Sequence, residues 1–357
     1  AALSEILEEA RHKPFAGIIG SDDSTVELAA QSASLLNLPH NPPRAARLTR
    51  RKDMSRAHLM LAGCPVPTHC LVDLGKPLAD QTAGLPWPCV LKPLHMSASR
   101  GVIRVNNEEE FNDACARIRS IIAGSGDDFE RTHVLVEEYI DGVEVAYEGF
   151  LHEGELHTLT VFDKPDPMVG PYFEETIYVT PSTLDTYTLE MIKLRVQQAC
   201  TAFGLRTGPV HAELRVNAEN AWLLEVASRT IGGDCARTMD NGSSKSLEQL
   251  TVSLAIGEPV KPASIEGSRG VMMIPIRQAG LLRRVEGILA AQKVPHVERI
   301  DITISEDHEL VPLPEGNQYL GFIFAQADTP RQVTAALRQA HEKLTFVTAP
   351  VFKLAKA

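Results

Sequence analysis

A mixed α/β (α+β) chain of more than one domain is what the sequence predicts, and three observations carry that expectation. Apolar runs of strand length alternate with amphipathic helical stretches along 357 residues. At about 150 residues per domain, such a length allows two or three domains. Hydrophobic residues make up 44% and charged residues 23%, close to globular averages and enough for sizeable cores.

The composition also excludes some functions. A net charge of −11 argues against nucleic acid as the main partner, because that binding rests on Lys and Arg neutralising phosphates. No apolar run reaches the ~18 residues of a membrane-spanning helix, so no membrane association is expected. No leader sequence is visible. The cysteines, Cys64, Cys70, Cys89, Cys115, Cys200 and Cys235, form no C-x-x-C pair. Scattered in this way they fit a reducing compartment, and a cytoplasmic location is expected. The chain opens with Ala1, so a processed or truncated N-terminus is expected.

Residues 1–75 read as the end of an α/β unit. A helix over 4–13 leads to an apolar strand at 15–19, then Gly20-Ser21-Asp22-Asp23 and a helix rich in Ala and Leu to about Leu36. The prolines at 39–43 break it. Arg44, Arg47, Arg50, Arg51, Lys52 and Arg56 follow as a basic stretch, read as a solvated helix face with Lys52 turned inward, before a strand at 66–72.

A second domain is expected over 76–262, with a smaller part to about residue 140 and a larger one from 141. Strands are expected at 90–92, 102–105 and 134–136, with a polar loop at 124–131. Asn107 with Glu110 caps a helix carrying Phe111, Ala114, Cys115, Ile118, Ile121 and Ile122 on one face. Runs at 144–151, 156–162 and 176–179 suggest an antiparallel meander. A helix starting at Ser182 with Asp185 carries Leu189, Ile192, Val196, Ala199 and Phe203. Strands at 210–216 and 221–226 flank Asn217–Asn220 as a hairpin, and a helix over 246–256 follows. Residues 263–357 read as an α/β cap: strands at 271–276, 300–304 and 321–325, a helix near 285–292, and a last helix begun by Thr329 and Pro330.

The hairpin carries the sharpest chemical signal. Glu213 and Glu225 lie on its two strands among apolar neighbours. Two carboxylates side by side repel unless a cation neutralises them, and a hard divalent ion suits such oxygen donors. Lys92 ends a buried strand and precedes a loop of small residues, His95-Met96-Ser97-Ala98-Ser99-Arg100-Gly101, whose amides can face phosphates. It is not a P-loop, and alone it also reads as an ordinary turn with a snorkelling lysine. The Glu137-Glu138-Tyr139-Ile140 run enters a turn at Gly142 before Glu144; there exposed backbone can read an adenine edge, or simply turn.

In this order the residues resemble the ATP-grasp superfamily, over about residues 45–260. The resemblance implies an ATP-grasp fold, preceded by a Rossmann-like pre-ATP-grasp unit and followed by the cap. By position, Lys52 and Lys92 would contact ATP phosphates, with Ser97, Ser99 and Gly101 in the loop closing over them. Glu137, Glu138, Tyr139 and Ile140 would hold adenine, Glu144 the ribose, and Glu213 and Glu225 Mg²⁺, with Mn²⁺ as its substitute. Many members place an Asn ligand two residues past the second Glu, where this chain has Ala227. The string from His211 through Glu213, Glu225 and Arg229 to Gly232-Gly233 is similar to the L-amino acid ligase and carnosine synthase branch, as is Glu175-Thr176-Ile177-Tyr178-Val179-Thr180-Pro181. That similarity implies that Arg229, with Lys92, serves catalysis, and that Glu175, Tyr178, His211, Arg229, Gly232 and Gly233 meet the substrates.

The implied reaction joins a carboxylate to an amine, both small molecules and expected to be amino acids, through an acyl phosphate, releasing ADP and phosphate. A biotin carboxylase-like enzyme, a purine-pathway ligase and a nucleotide-binding regulatory protein without turnover stand as rivals, and a homodimer is left open.

Overall fold

The structure is a computed structural model, and it describes residues 1–240, 245–258, 260 and 267–351. It divides into two compact units. The first comprises Ala1–Leu71, Glu137–Phe162 and Ser182–Glu266; the second comprises Val72–Val136, Asp163–Pro181 and Gly267–Ala357. The expected boundary at 262/263 lies outside the described residues.

In the first unit the strands run in the order Glu155–Asp163, Val143–His152, Gly208–Val216, Ala221–Ala227. The last two form the expected hairpin, with the Asn217 side chain accepting from the Glu219 and Asn220 amides inside the turn. The helix Thr186–Phe203 buries Ile192, Val196, Ala199 and Phe203, recurring every three or four residues, against Tyr147, Ala212, Leu214 and Leu223. Its cap is Asp185, which accepts from the Thr188 amide; Ser182 instead accepts from Leu184 in the preceding turn. Asp185 wins because it stands one residue before the first helical turn. The helices Val26–Leu35, Pro43–Arg50 and Lys52–Leu61 precede the sheet in sequence. The 15–19 run, expected as a strand, has no ladder partner among the described residues, and apolar composition alone does not make a strand.

In the second unit a four-stranded sheet has the order His69–Asp73, His133–Glu138, Cys89–Pro93, Ile103–Val105. The helix Glu108–Ile122 lays Phe111, Cys115, Ile118 and Ile122 on it, and Asn107 caps it as expected. The 124–131 loop is a correction: Asp127 and Glu130 form a reciprocal capping box that starts a short helix, Asp128–Thr132. The strands Val297–Ile302, Gly321–Ala327, Ser268–Ile274 and Ile177–Thr180 stand side by side, covered by the helix Pro330–Glu342 through Val333, Leu337 and Ala340. A three-stranded sheet of Glu309–Leu310, Gly280–Glu286 and Thr345–Ala349 completes the unit. The helix expected near 285–292 is therefore only Ile288–Ala291, preceded by a strand. Gly287 separates the two: its φ is +87° and a Cβ there would lie 1.9 Å from the Lys343 carbonyl. No described helix is long and apolar enough to cross a membrane.

Candidate active site

The hairpin register sets Glu213 directly opposite Glu225, so both side chains leave the same face of the ladder. Their side chains are 21% and 22% exposed, half-buried in either case. Lys52, from the helix Lys52–Leu61, brings its Nζ to 3.1 Å from Glu225 Oε2. Burial opposes the charge on Glu225, but Lys52 and Arg229 outweigh both that burial and the repulsion of Glu213, so Glu225 is held below the usual carboxylate range. Facing carboxylates are hard oxygen donors of the kind a divalent ion such as Mg²⁺ takes. Ala227 adds no donor; it is fully buried.

The next row of the same face is polar too. His211, directly opposite Glu148 on the neighbouring strand, engages Glu148 Oε2 through Nδ1 at 3.2 Å, and its Nε2 lies 3.9 Å from Glu213 Oε1. Glu148 has no exposed surface, and its Oε1 accepts the Ile231 amide at 3.1 Å. Burial pushes the Glu148 carboxyl above its ordinary value, against the pull of His211, the Ile231 amide and the charge of Arg229. Past the strand end, Arg229 grips Asp23 in a two-pronged pair, Nε to Oδ1 and Nη2 to Oδ2, each 2.8 Å, and its Nη1 donates to the Thr230 carbonyl at 3.0 Å. Burial works against the guanidinium charge, but Asp23, then Glu225 and Glu148, keep it protonated. Gly232 has open space around its α-carbon, and Gly233 and Asp234 follow with φ of +63° and +56°.

The adenine-run residues are pinned by two arginines whose roles the sequence does not reveal. Arg56, expected on a solvated helix face, is a correction. It is 2% exposed, with Nε 2.5 Å from Glu137 Oε1 and both terminal nitrogens donating to the Leu223 and Leu224 carbonyls. Lys52 does turn inward, as expected. The Glu137 carboxylate is thus engaged within the protein, and the Glu138 amide donates to the Thr68 carbonyl at 2.8 Å. Arg215 donates to the Ile140 carbonyl at 2.8 Å and to Glu144 Oε2 at 3.1 Å, with its guanidinium 4.9 Å from the Tyr139 ring centroid. Both arginines reach these acidic partners across 71 residues of sequence or more, so no local pattern reveals them.

In the second unit Lys92 is the last residue but one of the strand Cys89–Pro93, which leads through residues 94–96 to the 97–101 loop. Ala98 and Ser99 take positive φ values of +53° and +54°, which curl the loop so that the Arg100 and Val102 amides donate back to the Ser97 and Ser99 carbonyls. The Gly101 amide donates to the Pro314 carbonyl at 2.9 Å, so Gly101 anchors the loop by its backbone. Glu175 and Tyr178 come together: the Tyr178 hydroxyl donates to Glu175 Oε1 at 2.8 Å. A third member, Lys164, is nearly fully buried, with its Nζ 2.9 Å from the same oxygen and 4.9 Å from the Tyr178 ring centroid. It sits in an Asp-Lys-Pro-Asp-Pro stretch, which reads as a connection between strands and hides the lysine.

Residues 85–238 match a family model described as an ATP-grasp domain, and residues 272–349 match one described as L-amino acid ligase C-terminal domain 2. The alanine–anticapsin ligase of Bacillus subtilis is 26% identical over 246 residues, covering 64% of this chain and 52% of that protein. Carnosine synthase 1 of Gallus gallus is 28% identical over 303 residues, covering 80% of this chain and 32% of that protein. The chain thus spans about half the length of the first relative and about a third of the second. The crystal structure of an L-amino acid ligase from Bacillus licheniformis superposes with a TM-score of 0.85 at 25% identity, covering 98% of this chain and 85% of that one.

Proposed function

We propose that this chain, in which residues 85–238 match an ATP-grasp domain and residues 272–349 an L-amino acid ligase C-terminal domain, is a ligase that joins the carboxylate of one amino acid to the amine of another at the expense of ATP. The observation that carries this reading is the Glu213–Glu225 pair, set face to face on the ladder, with Lys52 at one flank and Arg229 just past the strand end. Paired carboxylates beside cations suit chemistry on a phosphorylated, highly charged substrate.

In the first step a carboxylate oxygen of the acid attacks the γ-phosphorus of ATP, the bond from that phosphorus to the β-bridging oxygen breaks, and ADP leaves. In the second step the amine nitrogen attacks the acyl carbon, the bond from that carbon to the bridging oxygen breaks, phosphate leaves carrying that oxygen, and the nitrogen gives up a proton to the departing phosphate or to solvent. Mg²⁺, held by Glu213 and Glu225, would neutralise charge on the phosphates. Lys92 and the 97–101 loop are assigned to the nucleotide phosphates in the second unit, and Lys52 to phosphates in the first. The Glu137–Ile140 run is assigned to adenine through backbone groups, since the Glu137 carboxylate is taken by Arg56. Glu144 is assigned to the ribose. Arg229 offers a rigid planar fork to oxygens whose charge grows in the transition state. His211 and the Gly232-Gly233 backbone are assigned to the acyl end, and Glu175 with Tyr178 to the amino group, where a carboxylate and a hydroxyl can hold an ammonium.

A phosphate-release screen over amino-acid pairs tests the reading. With MgATP, phosphate and ADP are expected in equal amounts only when both acid and amine partners are present, and EDTA is expected to abolish release. Absence of phosphate release with every pair, or AMP and pyrophosphate as products, would overturn it.

A further inference from the structure

Glu148 takes no direct part in the reaction described above, yet it is the most enclosed carboxylate near the hairpin. A charge without solvent is costly unless every lone-pair direction is used and cations stand nearby. Glu148 answers part of that demand with two partners that belong to different elements. Its Oε2 engages His211 Nδ1 at 3.2 Å, on the strand that carries Glu213. Its Oε1 accepts the amide of Ile231 at 3.1 Å, at the entry to Gly232-Gly233. With Nδ1 so engaged, the other ring nitrogen is left facing Glu213 Oε1 at 3.9 Å. The ladder explains the arrangement: Glu148, His211 and Ala227 form one cross-strand row, and Ala146, Glu213 and Glu225 form the row beside it. Ala227 contributes no polar group to its row, so the polar work there falls to Glu148 and His211 alone.

We infer that Glu148 is a positioning residue of the candidate active site, fixing the His211 ring and the Ile231 amide in one geometry so that the ring and the glycine loop are presented together to the acyl end. The inference rests on the ligase reading. It acts through His211 and the loop, and it leaves the nucleotide-binding residues of the chain untouched.

The test is steady-state kinetics of Glu148→Gln, His211→Ala and the double variant on a working amino-acid pair. Glu148→Gln keeps the shape but cannot serve both partners as a carboxylate does. Its kcat is expected to fall at least about tenfold while KM for MgATP stays within about twofold. The double variant is expected to be no slower than the slower single variant, because both substitutions break one unit. Glu148→Asp, one methylene shorter, should reach only one of the two partners and lose kcat in the same way if the Gln variant does not fold. A kcat within twofold of the parent, fully additive losses, or losses in kcat and MgATP affinity that track a fall in melting temperature would each overturn the inference. A parent that releases no phosphate with any pair sinks the ligase reading and the inference with it; a parent that turns over beside an equally fast Glu148→Gln sinks the inference alone.

Discussion

Arg229 has five N–H donors in a fixed plane, and three are committed: two to Asp23 and one to the Thr230 carbonyl. The remaining two, one on each terminal nitrogen, are those it can offer to a substrate oxygen. Asp23 therefore orients the fork, and a lysine at this position keeps the charge without the plane. Arg229→Lys is expected to lower turnover about a hundredfold, near 3 kcal/mol, with MgATP affinity little changed. Steady-state kinetics check this, and turnover within threefold of the parent would reduce Arg229 to a structural ion pair with Asp23. At this scale the sequence is informative about residue type and silent about partners. Glu213 and Glu225 stand out as charges among apolar neighbours and Arg229 as a charge four residues past Glu225, whereas Asp23 lies 206 residues from Arg229 and only the fold brings them together. Glu148 is hidden for a related reason: alternation along Val143–His152 marks it as one more polar residue of a strand, and burial of both faces is a tertiary fact.

The element that organises the first unit around the hairpin is the helix Lys52–Leu61. One turn apart, it sends Lys52 to Glu225 and Arg56 to Glu137 and the Leu223 and Leu224 carbonyls, so it clasps the second hairpin strand twice. Removing Arg56 takes its guanidinium away from the buried Glu137 carboxylate and from two carbonyls. Arg56→Ala is expected to cost about 3–5 kcal/mol of stability, read as a lower urea midpoint. A loss under about 1 kcal/mol would mean that water or another cation takes over the Glu137 carboxylate. The hairpin itself was legible, because strand alternation and a turn rich in Asn fix a register. The strand Gly280–Glu286 was not. Val285, with Ile288 three residues on, mimics helical spacing, and what ends the strand is the close approach of Gly287 to the Lys343 carbonyl. The short helix Asp128–Thr132 was legible in principle, since Asp127 and Glu130 carry the spacing of a capping box.

For the molecule as a whole, order along the chain was the readable quantity. Lysine, small-residue loop, acidic hinge, paired carboxylates and arginine come in a sequence that resembles one superfamily, and the matches over residues 85–238 and 272–349 bear that out. The choice of substrates depends on side chains brought together from distant parts of the chain, and no local pattern encodes such a shape. The central claim is that ATP activates the acid by phosphorylating it, and the fate of one oxygen tests it most directly. The acid substrate is supplied with both carboxylate oxygens labelled as ¹⁸O, the reaction is run with MgATP and the amine, and the products are analysed by mass spectrometry. The account predicts one ¹⁸O atom in each inorganic phosphate formed, with unlabelled ADP; ¹⁸O found in AMP would contradict it.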